Sequence, residues 1–288
     1  MEYVFKGEKM INQVSTLEIQ EIEQVSKKLR SHILKMIHNS QSGHPGGSLS
    51  CIDILNVLFT KCMTHYPECE KNPNYDNRDR FILSKGHASA ALYAILAHCG
   101  YFKEEDLLGF RKFGSKLQGH PCCHKLKGVE ISTGSLGQGL SIACGMALGL
   151  RLDNINSNVY VYMGDGEIEE GSVWEAAMNA AHNKLNKIIA FVDRNKLQID
   201  GSTEKVKSVG DVNAKFTAFG WNTLEIDGHN IKEIYDAIQV AKTSDKPTII
   251  IANTVKGKGV SFMENAAGWH GKAPNDEQLA KALEELNV

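Results

Sequence analysis

Three short runs of apolar residues, rich in β-branched side chains, constrain the fold of this chain most. They occupy residues 159–163, 188–192 and 248–252, and helical patterns of apolar residues separate them. A strand that is apolar along its whole length is buried on both faces, as in a parallel sheet covered by helices. The sequence therefore predicts an α/β fold, a parallel sheet with helices on both faces.

Further elements extend this alternation. Shorter strands are predicted at residues 80–83 and 222–226. Helical periodicity predicts helices at residues 17–38, 88–98, 137–152, 169–182, 212–219, 231–241 and 276–286. A glycine-rich turn covers residues 42–48, and Ser50 is expected to cap a further helix that runs to Thr60, with Asp53 three residues after the cap.

Composition excludes several classes of protein. The 288 residues include 32 Lys and Arg against 34 Asp and Glu, so the chain has no basic field that would attract a phosphodiester backbone. No apolar run approaches the roughly 18 residues that span a membrane, and the N-terminus lacks the apolar run of a secretion signal. The seven cysteines are irregularly spaced, which favours free thiols. We therefore expect a soluble, cytoplasmic protein with neither nucleic acid nor membrane as its partner.

Polar, glycine-rich segments follow two of the apolar strands. The segment GDGEIEEG follows the first of them, and DRNKLQIDG follows the second. Because neighbouring parallel strands end at one edge of a sheet, the carboxylate of Asp165 and the amide oxygen of Asn195 are expected close together, near the backbone carbonyl of Leu197. Such oxygens suit Mg²⁺, and the glycines allow a diphosphate to approach the backbone. Gly-Asp-Gly is also the sequence of an ordinary β-turn, but the second loop favours a metal and diphosphate site.

Four histidines lie in glycine-rich loops rather than in helices. They are His44, His87, His120 and His270. Each could make a single structural hydrogen bond, but the shared setting of all four indicates a common polar cleft. Imidazole can transfer protons near neutral pH and can bind sugar hydroxyls or phosphates.

Two other segments carry weaker signals. The segment TGSLGQGL enters a helix through glycines that would admit a flat ring or a diphosphate, but it lacks the GxGxxG spacing of a dinucleotide loop. The group Cys122, Cys123 and His124 lacks a second pair of ligands at zinc-site spacing. Neither segment identifies a function by itself.

Taken in order, these motifs resemble the transketolase family over residues 16–274. The matching segments are SGHPGG, DRFILSKGHAS, GHP, TGSLGQG, GDGEIEEG, DRNKLQIDG and WHGKAP. The pair GDG…N is similar to the thiamine-diphosphate-binding motif. Deoxyxylulose-phosphate synthases share some of these segments, but GHP followed by TGSLGQG favours transketolase. The resemblance implies a thiamine-diphosphate-binding fold, with residues 1–15 as an extension and residues 16–288 as the diphosphate-binding domain.

The resemblance also implies a role for each matching residue. Asp165, Asn195 and the carbonyl of Leu197 match the ligands of Mg²⁺, which Ca²⁺ or Mn²⁺ could replace. The positions that match contacts to thiamine diphosphate are His87, Gly134, Ser135, Leu136, Gly164, Asp165, Gly166, Asn195 and His270. His44 and His270 match residues beside the reacting carbons of a ketose, and His120 matches the residue that binds the donor's terminal hydroxyl. Glu170 matches an acid in a relay between two active sites of a dimer. Ser135 departs from the family, which often has proline there.

Transketolases transfer a two-carbon ketol unit from a ketose phosphate to an aldose phosphate. Full-length members continue into a pyrimidine-binding domain that supplies the activating glutamate, whereas this sequence stops soon after WHGKAP. The resemblance therefore implies the N-terminal subunit of a split transketolase, which pairs with a C-terminal subunit that carries the pyrimidine domain, two of each chain. The alternatives are another thiamine-diphosphate ketolase or synthase, similar to deoxyxylulose-phosphate synthase, and a non-catalytic scaffold. The joint presence of the polar site residues argues against a scaffold.

Overall fold

The computed structural model describes residues 14–68 and 71–288.

The main sheet of the protein is parallel throughout. The strands of the main sheet are β1 (Arg80–Leu83), β2 (Val159–Gly164), β3 (Ile188–Arg194), β6 (Asn222–Asp227) and β7 (Thr248–Asn253). A small antiparallel hairpin, β4 (Leu197–Gln198) and β5 (Gly201–Ser202), follows β3. The order in the main sheet is β1-β2-β3-β7-β6, and every neighbouring pair is parallel.

Helices cover both faces of this sheet, which confirms the predicted α/β fold. The helices are α1 (Thr16–Ser40), α2 (Pro45–Val57), α3 (Ser89–His98), α4 (Gln138–Leu152), α5 (Gly171–His182), α6 (Thr203–Val206), α7 (Val212–Ala218), α8 (Ile231–Thr243) and α9 (Asp276–Leu286). Alternate strand residues point to opposite faces. Tyr160 and Tyr162 pack with α1, α2, α3 and α8, whereas Val159 and Val161 pack with α4, α5 and α7.

The strands that carry the predicted metal site are neighbours. β2 and β3 pair in register, with Gly164 opposite Asp193. Both strands end within two residues of their predicted limits, and the apolar residues that predicted them are fully buried. The loops after β2 and β3 therefore start side by side at the carboxyl edge of the sheet.

The prediction that Ser50 caps the second helix is wrong. That helix begins at Pro45, with His44 at its N-cap, so residues 45–48 of the glycine-rich segment form its first turn. Proline fits the first turn because no intrahelical bond needs its missing N–H. Ser50 is buried in the helix interior, where its hydroxyl donates to Gly47 O at 3.1 Å and to Asp193 Oδ2 at 2.6 Å. The polar residue that suggested a cap instead binds the end of β3.

The remaining predictions about the chain as a whole are settled only in part. Helix α1 begins after Ser15, which forms a capping box with Glu18, and the predicted extension lies outside the described residues except for positions 14 and 15. The cysteines within the described residues are free, and Cys69 lies outside them. In the portion that the structure covers, no helix combines the length and the apolar character that a membrane span needs.

Candidate functional site

A cavity of about 390 Å³ opens at the carboxyl ends of β2, β3 and β7. The predicted site residues that line it are His44, His87, His120, Gly134, Leu136, Gly164, Asp165, Gly166, Glu170, Asn195, Leu197 and His270. Ser135 is exposed on the surface and does not line the cavity. The fold thus brings together segments that are as far apart in the sequence as His44 and His270.

Asp165 presents a buried carboxylate to this cavity. The residue is 3% exposed, and its carboxylate accepts hydrogen bonds from the backbone N–H groups of Gly166 at 2.8 Å and Lys196 at 2.6 Å. Burial, together with the nearby charge of Asp193, raises the pKa of Asp165 to about 6. A bound cation would offset that cost of burial, so Asp165 is suited to hold one.

Asn195 and Leu197 supply the other predicted metal ligands from the loop after β3. The amide oxygen of Asn195 accepts from the N–H of Leu197 at 3.1 Å, and the carbonyl of Leu197 accepts from Lys256 Nζ at 3.3 Å. Carboxylate, amide and carbonyl oxygens suit a hard cation such as Mg²⁺. Within residues 14–68 and 71–288, no group of three or more His, Cys, Asp or Glu side chains could hold a metal. The donor set therefore fits an ion that takes its other ligands from a diphosphate and water.

A buried ion pair that the sequence did not predict forms part of the cavity wall. Asp193 is fully buried and accepts from the ammonium of Lys85 and from the hydroxyls of Ser50 and Thr254. Burial alone would raise the pKa of Asp193, but the charge of Lys85 holds it below its usual range. Lys85 also donates to Gly47 O at 2.8 Å. This pair connects the end of β3 to α2 and to the loop after β1.

Lys256 is a second cationic residue that the sequence analysis did not assign to the site. It is 2% exposed, and its Nζ lies 3.0 Å from Nδ1 of His270. Burial lowers the pKa of Lys256 to about 8, so the ammonium form still dominates at neutral pH. The sequence does contain a signal for this role, because Lys256 follows the third apolar strand and so lies at the edge of the sheet where ligands bind.

Three histidine rings form a cluster inside the cavity. The ring centroids of His44, His87 and His270 lie 5.3 to 5.4 Å from one another. Burial and the nearby cationic side chains lower the pKa of His44 and of His270 to about 4. The same causes hold the pKa of His87 well below its usual range. All three rings are therefore neutral at pH 7, and each offers one N–H donor and one acceptor nitrogen.

The glycine-rich segment before α4 closes the other side of the cavity. Gly134 has a φ of +146°, and a Cβ there would lie 3.2 Å from the ring of His120. Gly137 has a φ of +82°, and a Cβ there would lie 2.6 Å from Cβ of Glu170. The absence of side chains at these positions allows this backbone to approach His120 and Glu170. Glu170 is exposed at the mouth of the cavity.

The buried acid Glu167 fixes this segment in place. It is 2% exposed and accepts from the N–H groups of Gly137 at 2.9 Å and Gly164 at 3.0 Å, as well as from the hydroxyl of Ser84. It therefore joins the loop after β2 to the loop before α4. The sequence offered no signal that separated its role from that of Glu170.

Known proteins match this chain over nearly its whole length. The family described as transketolase, thiamine diphosphate binding domain, matches residues 22–287. The chain is 42% identical over 278 residues to an apulose-4-phosphate transketolase subunit of Phocaeicola vulgatus, and the match covers 96% of this chain and 95% of that protein. It is 41% identical over 267 residues to 6-deoxy-6-sulfo-D-fructose transketolase subunit SqwG of a Clostridium species, with 92% of this chain and 96% of that protein covered.

Solved structures of longer transketolases match as well. The transketolase of Campylobacter jejuni superposes with a TM-score of 0.87 at 38% identity, over 94% of this chain but only 43% of that chain. This chain thus spans nearly all of the subunit proteins and less than half the length of the longer enzymes. The predicted family is confirmed: the chain belongs to the family of the transketolase thiamine-diphosphate-binding domain.

Proposed function

We propose that this chain is one subunit of a transketolase that is assembled from two different chains and that uses thiamine diphosphate with a divalent cation. The observation that carries this proposal is the position of Asp165 beside the loop of Asn195 and Leu197, in one cavity with three neutral histidines. The similarity of this chain, over nearly its whole length, to proteins named as transketolase subunits supports the same conclusion.

The cofactor site that we propose uses oxygen atoms for the metal and cationic or N–H groups for the diphosphate. Asp165, Asn195 and the carbonyl of Leu197 would hold Mg²⁺, or Ca²⁺ or Mn²⁺ in its place. Lys256 brings positive charge to the same wall of the cavity. The remaining lining residues proposed as cofactor contacts are His87, Gly134, Leu136, Gly164, Gly166 and His270. When bound, thiamine diphosphate would supply the electron sink for breaking a carbon–carbon bond.

The histidines of this chain would bind and orient the sugar. As neutral rings, His44 and His270 can form hydrogen bonds with the carbonyl and hydroxyl oxygens of a ketose. They can also transfer protons to and from these oxygens. His120 lies against Gly134 and would bind the donor's terminal hydroxyl. The reaction is then the reversible transfer of a two-carbon ketol unit from a ketose phosphate to an aldose phosphate.

The rest of the enzyme would come from a partner chain. Longer transketolases carry more than half of their length beyond the part that matches this chain. We propose a C-terminal subunit with the pyrimidine domain as the partner, two copies of each chain in the assembly, a relay through Glu170 across it, and a cytoplasmic location. The exposed position of Glu170 at the cavity mouth suits a contact with another chain.

Binding of thiamine diphosphate tests this proposal directly. We expect calorimetric titration of the complex of this chain with its partner to show binding with Mg²⁺ and none with a chelator. Equal binding of thiamine diphosphate with Mg²⁺ and with a chelator would contradict the proposal. So would an assembled complex that transfers no ketol unit between sugar phosphates.

The ketose donor is a separate question within the same reaction. The relatives that match from end to end are named for different donors, apulose-4-phosphate and 6-deoxy-6-sulfo-D-fructose. A donor other than a common pentose phosphate is therefore a second candidate. Comparing kcat/KM across a panel of ketose phosphates and a sulfonated ketose would distinguish them.

A further inference from the structure

Arg111 contacts the ring of His44 but does not itself line the cavity. Its side chain approaches the backbone so closely that a Cβ on Gly119 would lie 3.1 Å from the central carbon of the guanidinium. The backbone of Arg111 has a φ of +57°, in the left-handed region that non-glycine residues rarely adopt. Its N–H donates to Leu117 O at 2.9 Å, which closes the loop in this conformation.

The guanidinium joins the two loops that carry the histidines proposed to bind substrate. Its Nη1 donates to Ser42 Oγ at 2.8 Å, in the loop that precedes His44. Its Nη2 donates to Gly119 O at 3.2 Å, next to His120, and lies 3.4 Å from Nδ1 of His44. One side chain therefore fixes the position of His44 relative to the neighbour of His120.

The contact with His44 has only one possible direction. A guanidinium has N–H donors and no acceptor, so Nδ1 of His44 must accept. The ring is neutral at pH 7 because burial, Arg111, His120 and Lys256 all lower its pKa. A neutral imidazole has one proton, which must then lie on Nε2. Among the described residues, none forms a hydrogen bond with that Nε2, and a Cβ built on Gly271 would lie 3.8 Å from it.

We propose that Arg111 is a positioning residue that holds His44 in the Nε2–H tautomer, so that the ring presents an N–H donor to the cavity. This inference rests on the proposed function, because it takes the occupant of the cavity to be a sugar. A donor at this position would bind an oxygen that accepts, such as a ketose carbonyl or an alkoxide that forms from it. His44 in its resting state is then a hydrogen-bond donor to substrate and not the base.

The neighbouring ring shows why the identity of the cation matters. His270 also has a cationic side chain at Nδ1, the ammonium of Lys256 at 3.0 Å. An ammonium can lose its proton and then accept, which would allow the other tautomer, whereas a guanidinium stays protonated at every accessible pH. The tautomer of His44 should therefore stay the same across the pH range in which its ring is neutral.

The tautomer can be measured without any reaction. The full chain, labelled with ¹⁵N-histidine, gives two-bond ¹H–¹⁵N spectra that distinguish a protonated from an unprotonated ring nitrogen, and His44→Gln assigns the signal. We expect Nδ1 of His44 to be unprotonated and Nε2 to be protonated. A proton on Nδ1 in the unaltered chain would overturn the proposal.

Variants of Arg111 separate positioning from support of the loop. Arg111→Gly suits the left-handed backbone, so the loop can keep its path while the donors are lost. We expect both tautomers of His44 to appear in that variant and its pKa to rise, because the charge of Arg111 is gone while His120, Lys256, His87 and His270 still face the ring. Lys112→Gly removes a positive charge from the adjacent exposed position and should change neither property.

Arg111→Lys completes the test. Like the guanidinium, its ammonium has N–H donors and no acceptor, so when it donates to Nδ1 of His44 the ring proton must again lie on Nε2. We therefore expect the Nε2–H form to predominate in Arg111→Lys at pH 7. Unchanged spectra and an unchanged pKa in Arg111→Gly would overturn the proposal, and so would a mixture of tautomers in the unaltered chain. If Arg111→Gly does not fold, the unaltered chain and the lysine variant still decide the matter. Since no measurement here needs substrate, a failure to transfer ketol units would count against the proposed function alone.

Discussion

The ammonium of Lys256 lies 3.3 Å from the carbonyl oxygen of Leu197, which is one of the oxygens proposed to bind the metal. The same Nζ lies 3.0 Å from Nδ1 of His270. Lys256 therefore supplies positive charge to a wall of the cavity that Asp165 makes negative. A diphosphate in the cavity would be a stronger acceptor for this ammonium than a neutral carbonyl.

Replacing Lys256 by methionine should weaken the binding of thiamine diphosphate. A charge-assisted hydrogen bond contributes about 1.5–3 kcal/mol, so the dissociation constant should rise by roughly ten- to a hundredfold. Calorimetry in the presence of Mg²⁺ measures this directly. Lys258→Met, two residues further on and partly exposed, is the matched control and should bind normally. Equal affinity in the two variants would remove Lys256 from the cofactor site.

Asp165→Asn should abolish the metal dependence of cofactor binding. The amide keeps the shape and one acceptor oxygen but loses the charge that holds a divalent cation. Titrations with Mg²⁺ and with a chelator should then give the same weak binding. Asp200→Asn changes an exposed acid in the loop after β3 and serves as the control. An Mg²⁺ response equal to that of the unaltered chain would contradict the assignment of the metal site.

His120→Ala should impair the use of the ketose donor much more than it impairs cofactor binding. His120 is exposed and its ring lies beside Gly134, whereas the proposed metal ligands lie in the loops that follow β2 and β3. Steady-state kinetics of the assembled enzyme should show a raised KM for the donor, while the affinity for thiamine diphosphate stays near normal. His124→Ala, at an exposed position in the same loop, should leave both unchanged. Equal losses of donor and cofactor binding would refute this role.

Two glycines of α4 should respond in opposite ways to alanine. A Cβ on Gly139 would overlap the side chain of Ser84, whose hydroxyl accepts from the N–H of Gly139 and donates to Glu167. Such overpacking costs about 1–3 kcal/mol of the free energy of unfolding. A Cβ on Gly145 would meet nothing within 4 Å, so Gly145→Ala should stabilise the helix by about 0.5–1 kcal/mol. Urea denaturation measures both, and a stabilised Gly139→Ala would contradict the packing described here.

Asp53→Asn should destabilise the fold in a manner that depends on pH. Asp53 Oδ2 accepts from Arg30 Nη2 at 2.6 Å and from His229 Nδ1 at 2.8 Å, and all three side chains are largely buried. Burial by itself would raise the pKa of Asp53, but Arg30 and His229 lower it well below its usual range. Breaking such a buried pair costs about 3–5 kcal/mol.

The sign of the pH effect follows from this lowered pKa. The carboxylate stabilises the fold fully above its unfolded pKa of about 4, and that contribution falls as the pH drops towards the folded value. The difference in unfolding free energy between the unaltered chain and Asp53→Asn should narrow as the pH falls below about 4. A difference that stays constant down to pH 3 would show that the charge of Asp53 does not contribute.

The sheet, and the proximity of the polar loops that follow its strands, could be predicted from the sequence because both follow from local patterns. Apolar runs locate β2, β3 and β7, and parallel strands place the residues that follow them at one edge. The positions of Asp165 and Asn195 in the same cavity required nothing more. Even so, the resemblance to a family, and not the pattern, supplied the roles of the histidines.

Other parts of the site depend on tertiary contacts that no local pattern reveals. The pairing of Lys85 with Asp193 joins residues 108 positions apart. Gly46, in the first turn of α2, lies so close to Trp269 that a Cβ there would be 3.0 Å from the carbonyl oxygen of Trp269. Arg111 reaches His44 through a left-handed backbone that its sequence does not suggest. In each case the deciding contact lies far away along the chain.

Purification of the tagged chain from its own cell extract tests whether it is one half of a two-chain enzyme. We expect a second chain, which carries the pyrimidine domain, to co-purify in equal amount. We also expect the eluate to transfer a two-carbon unit between sugar phosphates only when thiamine diphosphate and Mg²⁺ are present. A chain that is purified alone and binds no thiamine diphosphate in the presence of Mg²⁺ would contradict the proposed function.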